Sequence, residues 1–126
     1  MPTIFTAAMN LGDLLTFEAP NLYSRDRVTV AAGQNLPMGT VLGTITASGK
    51  SKQIDPTSQD GSHVAAGVLV QNCDATLSER DDGLVVARHA IVSDHALQWP
   101  EAVTAAEKAS AIAQLKALGV LVRQGV

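Results

Sequence analysis

The sequence predicts a mainly β fold with one helix near its carboxyl end, which is an α+β class. Two observations carry this prediction. Short runs rich in Val, Ile and Thr recur between turns that contain Gly or Pro, and a helical pattern appears once, beyond Pro100. A chain of 126 residues forms one domain, and a domain of this size buries about two thirds of its unfolded surface. We divide the chain into an extended amino-terminal arm, residues 1–21, and a β-rich domain, residues 22–126.

The arm shows no sustained period of 2 or 3.6, so its pattern predicts no core of its own. Both Phe residues of the chain, Phe5 and Phe17, nevertheless lie in it, which is unusual for a segment that stays in solvent. We interpret it as an arm that becomes ordered on a partner; a short amphipathic turn over residues 9–15 is the competing interpretation. The residues expected to contact the partner are Thr3, Ile4, Phe5, Thr6, Leu11, Leu14 and Leu15.

Four stretches are predicted to be the main strands. In Arg25–Val30, long polar residues alternate with β-branched ones. Residues 40–47 follow a Pro-Met-Gly turn, and their hydroxyl-rich face is expected to be free to meet a partner. Residues 66–71 are a short apolar run, which predicts a buried strand. Residues 84–92 are the most β-prone run and are predicted to form one central strand.

The segments between these strands are rich in turn-forming residues. Residues 50–63 contain Asp, Gly, Pro and Ser almost throughout and predict a long surface loop, and residues 79–83 predict a turn. Trp99 precedes a proline, so it is expected to be extended. Its bond to Pro100 is trans by default, although cis is open to it.

The helix is predicted from its ends and its period. Thr104 and Glu107 have the spacing of a capping box, and Gly119 is placed to end the helix in the left-handed conformation. The residues that share the predicted apolar stripe are Ala105, Ala109, Ile112, Leu115 and Leu118. A short terminal strand is expected over residues 120–122.

The composition points to a protein that covers part of its surface in an assembly. Charged residues are 17% of the chain against a usual share of about a quarter, while hydrophobic residues reach 46%. A net charge of −3 argues against nucleic acid as a partner, and the longest apolar runs are too short to predict a membrane span. The single cysteine, Cys73, cannot form an internal disulfide, so the chain does not need an oxidising compartment.

Candidate catalytic and ligand-binding residues are few. The histidines, with Asp94 beside His95, lack the spacing of a metal site, and no nucleophile motif accompanies them. Gly49, Lys50 and Ser51 resemble the end of a phosphate loop, but Gly43 precedes them at the wrong distance. We therefore predict no catalytic, cofactor-binding or metal-binding residue. The alternative is a small β-barrel enzyme or ligand-binding module that uses His63, His89 or Asp94.

The chain resembles a known family in a set of motifs that occur in a particular order. They are Ser24-Arg25-Asp26-Arg27-Val28-Thr29-Val30, Gly33, Leu36-Pro37-Met38-Gly39-Thr40-Val41-Leu42-Gly43, Ile45-Thr46, Asp60-Gly61-Ser62, Gly67-Val68-Leu69-Val70, residues 84–90, Leu97, Trp99 and Leu118-Gly119-Val120. Over roughly residues 24–122 the chain resembles the head decoration proteins of tailed phages, of the lambda protein D type.

The resemblance implies a small barrel domain of the β-clip kind with one helix and no catalysis. It implies homotrimers on the outside of an expanded phage head, where they bind the major capsid protein and stabilise the shell against internal pressure. The amino-terminal arm would lie along the major capsid protein. The expected location is the capsid surface of the virion, after synthesis in the host cytoplasm. An alternative is a trimeric accessory protein of a phage tail or fibre, because the composition argues for assembly in that case equally well.

Overall fold

The computed structural model describes residues 11–20 and 23–124. Within these residues the chain forms two α-helices, ten strands and one 3₁₀ turn, Asp94–Ala96. The helices are α1 (Leu11–Leu14) and α2 (Ala105–Leu118). The strands are β1 (Leu15–Glu18), β2 (Arg25–Val30), β3 (Gln34–Leu36), β4 (Val41–Thr44), β5 (Ser51–Gln53), β6 (Ala65–Leu69), β7 (Cys73–Ala75), β8 (Arg80–Val86), β9 (Ala90–Ser93) and β10 (Val120–Arg123). The mainly β class with one long helix is confirmed.

The strands form one small barrel and two further sheets. The barrel has the order β2-β5-β4-β6-β8, and it closes between β2 and β5 through a single residue pair, Val30 with Ser51. A three-stranded sheet has the order β1-β9-β10, and β3 pairs with β7 separately. In the three-stranded sheet β1 runs antiparallel to β9, and β10 runs parallel to it.

The barrel wall is apolar on both sides. In β4, β6 and β8, neighbouring residues belong to different apolar clusters, because successive side chains of a strand point to opposite faces. One cluster, shared with β9, β10 and α2, contains Val41, Val68 and Val86. The other contains Leu42, Leu69 and Val85.

This arrangement corrects the predicted second strand. The strand covers residues 41–44 only, and it has no hydroxyl-rich face free for a partner. Leu42 is 1% exposed and Thr40 is fully buried, with its hydroxyl donating to the Pro37 carbonyl at 2.7 Å. The predicted turn before it is confirmed, since Gly39 has a φ of 96° and the Thr40 amide donates to the Pro37 carbonyl.

The predicted strand over residues 84–92 is two strands in different sheets. β8 ends at Val86 in the barrel, and β9 begins at Ala90 beside β1 and β10. Between them His89 adopts a φ of 46°, and its carbonyl accepts a hydrogen bond from the Ser24 hydroxyl at 2.8 Å. β8 also begins earlier than predicted, at Arg80, because residues 80–83 pair with β2 instead of turning. The predicted loop over residues 50–63 contains β5.

The ends of α2 are as predicted, but its buried face is not. The Thr104 amide donates to the Glu107 carboxylate at 2.9 Å, and the Glu107 amide donates to the Thr104 hydroxyl at 3.1 Å. Gly119 ends the helix with a φ of 92°. Of the helix residues only Ala111 and Leu115 are buried, so the predicted stripe is wrong at Ala105, Ala109 and Leu118, which are exposed.

Part of the predicted arm belongs to the folded domain. Leu14 is fully buried in the core, and β1 pairs with β9 along residues 15–18. The boundary at residue 21 therefore lies too late, because this segment covers the edge of β9. Thr3, Ile4, Phe5 and Thr6 lie outside the described residues. The peptide bond between Trp99 and Pro100 is trans, like the other described peptide bonds.

An ion pair fixes the end of β1 to β2. Arg25 donates from Nε to Glu18 Oε2 at 2.8 Å and from Nη2 to Glu18 Oε1 at 2.7 Å, and the two side chains are only 19% and 23% exposed. The hydrogen bond from Arg25 is the main reason that the pKa of Glu18 lies below its usual 4.5. The carboxylate therefore favours the folded state when it is ionised.

We predict that Glu18→Gln lowers stability more at neutral pH than at acid pH. The folded-state pKa is depressed, so the stabilisation is present above pH 4.5 and is lost as the pH falls through the lower folded value. The loss at pH 7 should be about 1 kcal/mol, because the pair is partly exposed. Urea unfolding of both proteins at pH 7 and pH 3 measures this. An equal difference at the two pH values would contradict the prediction.

We predict that Gly43→Ala destabilises the barrel. A Cβ at Gly43 would lie 2.2 Å from the carbonyl oxygen of Ser62, so backbone must move, and the cost should reach about 3 kcal/mol or more. Gly49→Ala is the control, since its Cβ meets nothing within 4 Å but its φ is 74°. That change should cost about 1 to 2 kcal/mol of backbone strain. Urea unfolding measures the free energy of unfolding of both variants. Equal losses of stability would contradict the packing argument.

Candidate interaction surface

The residues of the enzymatic alternative lie in different parts of the domain. His63 is exposed beside a cavity of 180 Å³ that Glu107 and Ala111 of α2 also line. His89 is exposed between β8 and β9, and Asp94 lies in the 3₁₀ turn. Among the residues that the structure describes, no three His, Cys, Asp or Glu side chains are grouped to hold a metal ion. The geometry therefore brings no catalytic set together from these residues.

The segment that resembles a phosphate loop is a turn between two strands. Gly49 has a φ of 74° and donates its amide to the Ile45 carbonyl at 2.7 Å. Ser51 then begins β5, and the Lys50 side chain forms an ion pair with Glu79. A phosphate loop must open a helix whose amides face the ligand, and this turn opens none.

The segment from α1 to β1 presents an apolar depression on the surface. It has a volume of 330 Å³ and is lined by Leu11, Gly12, Leu15, Thr16, Phe17 and Glu18. Leu11 and Leu15, two of the predicted contact residues, are half-buried and remain partly accessible. Leu14 is a core residue, so we withdraw it from the predicted contacts.

Phe17 is a surface residue outside the set of predicted contacts. It is 53% exposed on β1, in the same depression as Leu11 and Leu15. The alternation of apolar Leu15 and Phe17 with polar Thr16 and Glu18 is the signal that could have identified it. Four residues are too few to separate such a strand from an irregular segment.

Hydrogen bonds hold this surface in place. The Thr16 hydroxyl donates to the Ile91 carbonyl at 3.0 Å, and the Ala19 amide donates to the Ser24 hydroxyl at 2.9 Å. The same Ser24 hydroxyl bonds to His89, so the segment is tied to the start of β9. The point at which residues 1–10 join the domain is therefore fixed relative to the β1-β9-β10 sheet.

That sheet has two outer strands. Within the described part of the chain, β1 and β10 each pair only with β9, so each has one edge without a partner strand. The backbone amides and carbonyls of such an edge can accept an added strand from another molecule. Both edges are therefore candidates for contact with an extended segment.

The positive charges are distributed unevenly. Arg25, Lys50, Lys52, Arg80 and Arg88 each form an ion pair with a carboxylate. No ion pair within the described residues involves the cations at the carboxyl end, which are Lys108, Lys116 and Arg123. The region of α2 and β10 therefore carries three positive charges that form no ion pair within the described residues, although the chain has a net charge of −3.

Tyr23, Arg88 and His89 form a second exposed group. The Arg88 guanidinium lies 5.6 Å from the centre of the Tyr23 ring and donates to the Tyr23 carbonyl at 2.7 Å. The His89 ring lies 5.1 Å from the Tyr23 ring. Tyr23 is 54% exposed. The guanidinium and the imidazole both contact the Tyr23 ring, and with it they present an aromatic surface to solvent.

The comparison with known families covers nearly the whole chain. A family model described as bacteriophage lambda head decoration protein D matches residues 4–120, which include β1, the barrel strands and α2 and end at the first residue of β10. No curated protein sequence matches the chain. The family is one of structural proteins and not of enzymes. The chain thus belongs to the bacteriophage lambda head decoration protein D family.

Proposed function

We propose that the protein binds as a homotrimer to the outside of an expanded phage head and stabilises the shell against internal pressure. The observation that carries this proposal is the family match over residues 4–120, which makes the chain a capsid protein of a phage. The partner that we propose is the major capsid protein. This function needs accessible binding surface and no chemistry, and the described residues offer such a surface on the β1-β9-β10 sheet.

We propose that the arm, now limited to residues 1–10, is the first shell contact, with Leu11 and Leu15 beside it. Thr3, Ile4, Phe5 and Thr6 are β-prone, so this stretch suits addition to a sheet edge of the shell. Burial of Ile4 and Phe5 would contribute about 1.5 to 3 kcal/mol each. Ordering the backbone costs about 1 to 2 kcal/mol per residue, so one arm should bind weakly.

A trimer would make this weak contact effective. After one arm binds, the other two are held at high local concentration, and avidity can exceed the affinity of one arm by about 10² to 10⁴. The low charge content supports an assembled state, as do exposed apolar residues such as Leu77, which is 97% exposed. Three copies also match a threefold position of a shell.

We propose no nucleic acid or membrane partner. The net charge of −3 is unfavourable for contact with phosphate backbones. Within the described residues, the helices are too short or too polar to cross a bilayer. Cys73 is buried as a free thiol, which is compatible with synthesis in the host cytoplasm.

We predict that deletion of residues 2–10 leaves a folded domain that no longer stays on expanded shells. The deletion spares Leu14, whose side chain the core requires. Co-sedimentation with expanded empty shells measures binding, and thermal unfolding measures folding.

Phe5→Ala should weaken binding without lowering the Tm. Leu14→Ala is the matched contrast, because it should cost about 2 to 5 kcal/mol of stability and keep the arm. Full binding by the truncated protein would show that the arm is not the anchor.

We predict that the isolated protein sediments with three times the chain mass of 13.1 kDa. The apolar, weakly charged surface favours association, and the deletion of residues 2–10 should leave the number of chains per particle unchanged at three. Sedimentation equilibrium measures both proteins. A monomer or a stable dimer at equilibrium would contradict the prediction for the isolated protein, and a protein that remains monomeric when bound to shells would rule out the trimer altogether.

A further inference from the structure

We propose that the groove between α2 and β10 binds an extended acidic segment of the shell protein, which adds as a strand to the outer edge of β10. The inference rests on the proposed function. It adds a second contact, and in this contact the decoration protein receives a strand from the shell instead of supplying one.

The groove lies beside an unpaired strand edge. It has a volume of 220 Å³ and is lined by Ile112, Lys116, Leu121, Val122 and Arg123. Leu121 and Val122 are half-buried, so the lining includes apolar surface that a partner can cover.

The hydrogen-bond ladder shows which backbone groups face outward. The Ala90 amide donates to the Gly119 carbonyl at 3.1 Å, and β10 continues parallel to β9 in the same register. In a strand, alternate residues direct their amide and carbonyl to the same side. Leu121 and Arg123 therefore bond toward β9, and Val122 presents its amide and carbonyl to the open edge.

The charges around the groove select an acidic occupant. Lys108, Ile112 and Lys116 follow one another at intervals of four residues, so they share one face of α2. Lys116 lines the groove from the helix and Arg123 lines it from the strand, and neither has an ion pair within the described residues. Carboxylates on an added strand would form ion pairs with Lys116 and Arg123, and this charge complementarity would favour an acidic segment as the partner.

The chain's own arm does not fit this charge pattern. Residues 2–10 contain no Asp or Glu, so they cannot complement Lys116 and Arg123. The arm is suited to an uncharged apolar contact, and the groove to an acidic one. This difference in chemistry favours the shell protein over a second copy's arm as the occupant.

Charge reversal tests the occupant. Lys116→Glu and Arg123→Glu should each weaken co-sedimentation with expanded empty shells about tenfold, and each should reduce the dependence of binding on NaCl concentration. Arg27→Glu is the matched control. It makes the same change in net charge at an exposed cation on β2, which has no ion pair within the described residues, and binding should stay within about twofold.

Backbone substitution tests the added strand. Val122→Pro removes the outward amide and leaves the bonds to β9, because proline is accepted on an edge strand when its missing amide faces outward. Val122→Ala keeps the amide and loses a similar amount of packing. Val122→Pro should reduce binding to shells about tenfold or more, whereas Val122→Ala should bind within about threefold of wild type.

The outcomes separate this inference from the proposed function. If wild type binds shells and all groove variants bind equally well, the inference is wrong and the proposed function stands. If wild type itself fails to bind, both fail. Loss of self-association by Lys116→Glu in sedimentation equilibrium would overturn the inference too, because the groove would then join copies of this chain. Reduced shell binding with unchanged self-association supports it.

Discussion

Strand β9 is the element on which the arrangement of both chain ends depends. It lies between β1 and β10 and pairs with both, and Ala90, Val92 and Ser93 are at most 4% exposed. Its position requires the chain to leave the barrel within three residues of Val86. The left-handed conformation of His89 makes that change of direction, and it costs about 1 to 2 kcal/mol for a residue other than glycine. The surrounding contacts must offset this cost.

Those contacts come from both ends of the chain. Ser24 binds the His89 carbonyl from the amino-terminal side, and Gly119 packs on it from the carboxyl-terminal side. A Cβ at Gly119 would lie 3.1 Å from the His89 amide nitrogen, so glycine is needed there for close approach as well as for its φ of 92°. The end of α2, the turn before β9 and the start of β10 therefore form one packed unit.

The features predicted correctly from the sequence depend on local chemistry. The capping box at Thr104, the turn at Gly39 and the strand Arg25–Val30 are each determined by a few neighbouring residues. The errors concern contacts that are distant in sequence. Leu14 is buried because β1 pairs with β9 from the other half of the chain, and no pattern within residues 11–18 reveals that pairing. Residues 84–92 are likewise uniformly β-prone, so their sequence does not show where the strand is interrupted. The interruption is seen only in the structure, where β8 and β9 belong to different sheets.

The sequence also does not reveal which face of α2 packs on the domain and which face remains available for an interaction. Its only buried residues are Ala111 and Leu115, and the Gln114 side chain accepts a hydrogen bond from the Ala65 amide at 2.7 Å. One narrow stripe thus attaches α2 to β6, and apolar content alone could not identify which stripe packs. The groove beside β10 exists because Ile112 and Lys116 lie just outside that stripe. Its charge was visible in the sequence, but its position beside an open strand edge was not.

The proposed contacts would act on opposite edges of one rigid sheet. β1, next to the arm, and the open edge of β10 are separated by two strand spacings, roughly 10 Å. Since β9 joins them through hydrogen bonds on both sides, a shell segment bound at either edge is held at a fixed distance from the other. The first contact then raises the effective concentration for the second within a single copy, in addition to the gain from three arms. A decoration protein built this way can use two individually weak, chemically different contacts, and both must match the shell.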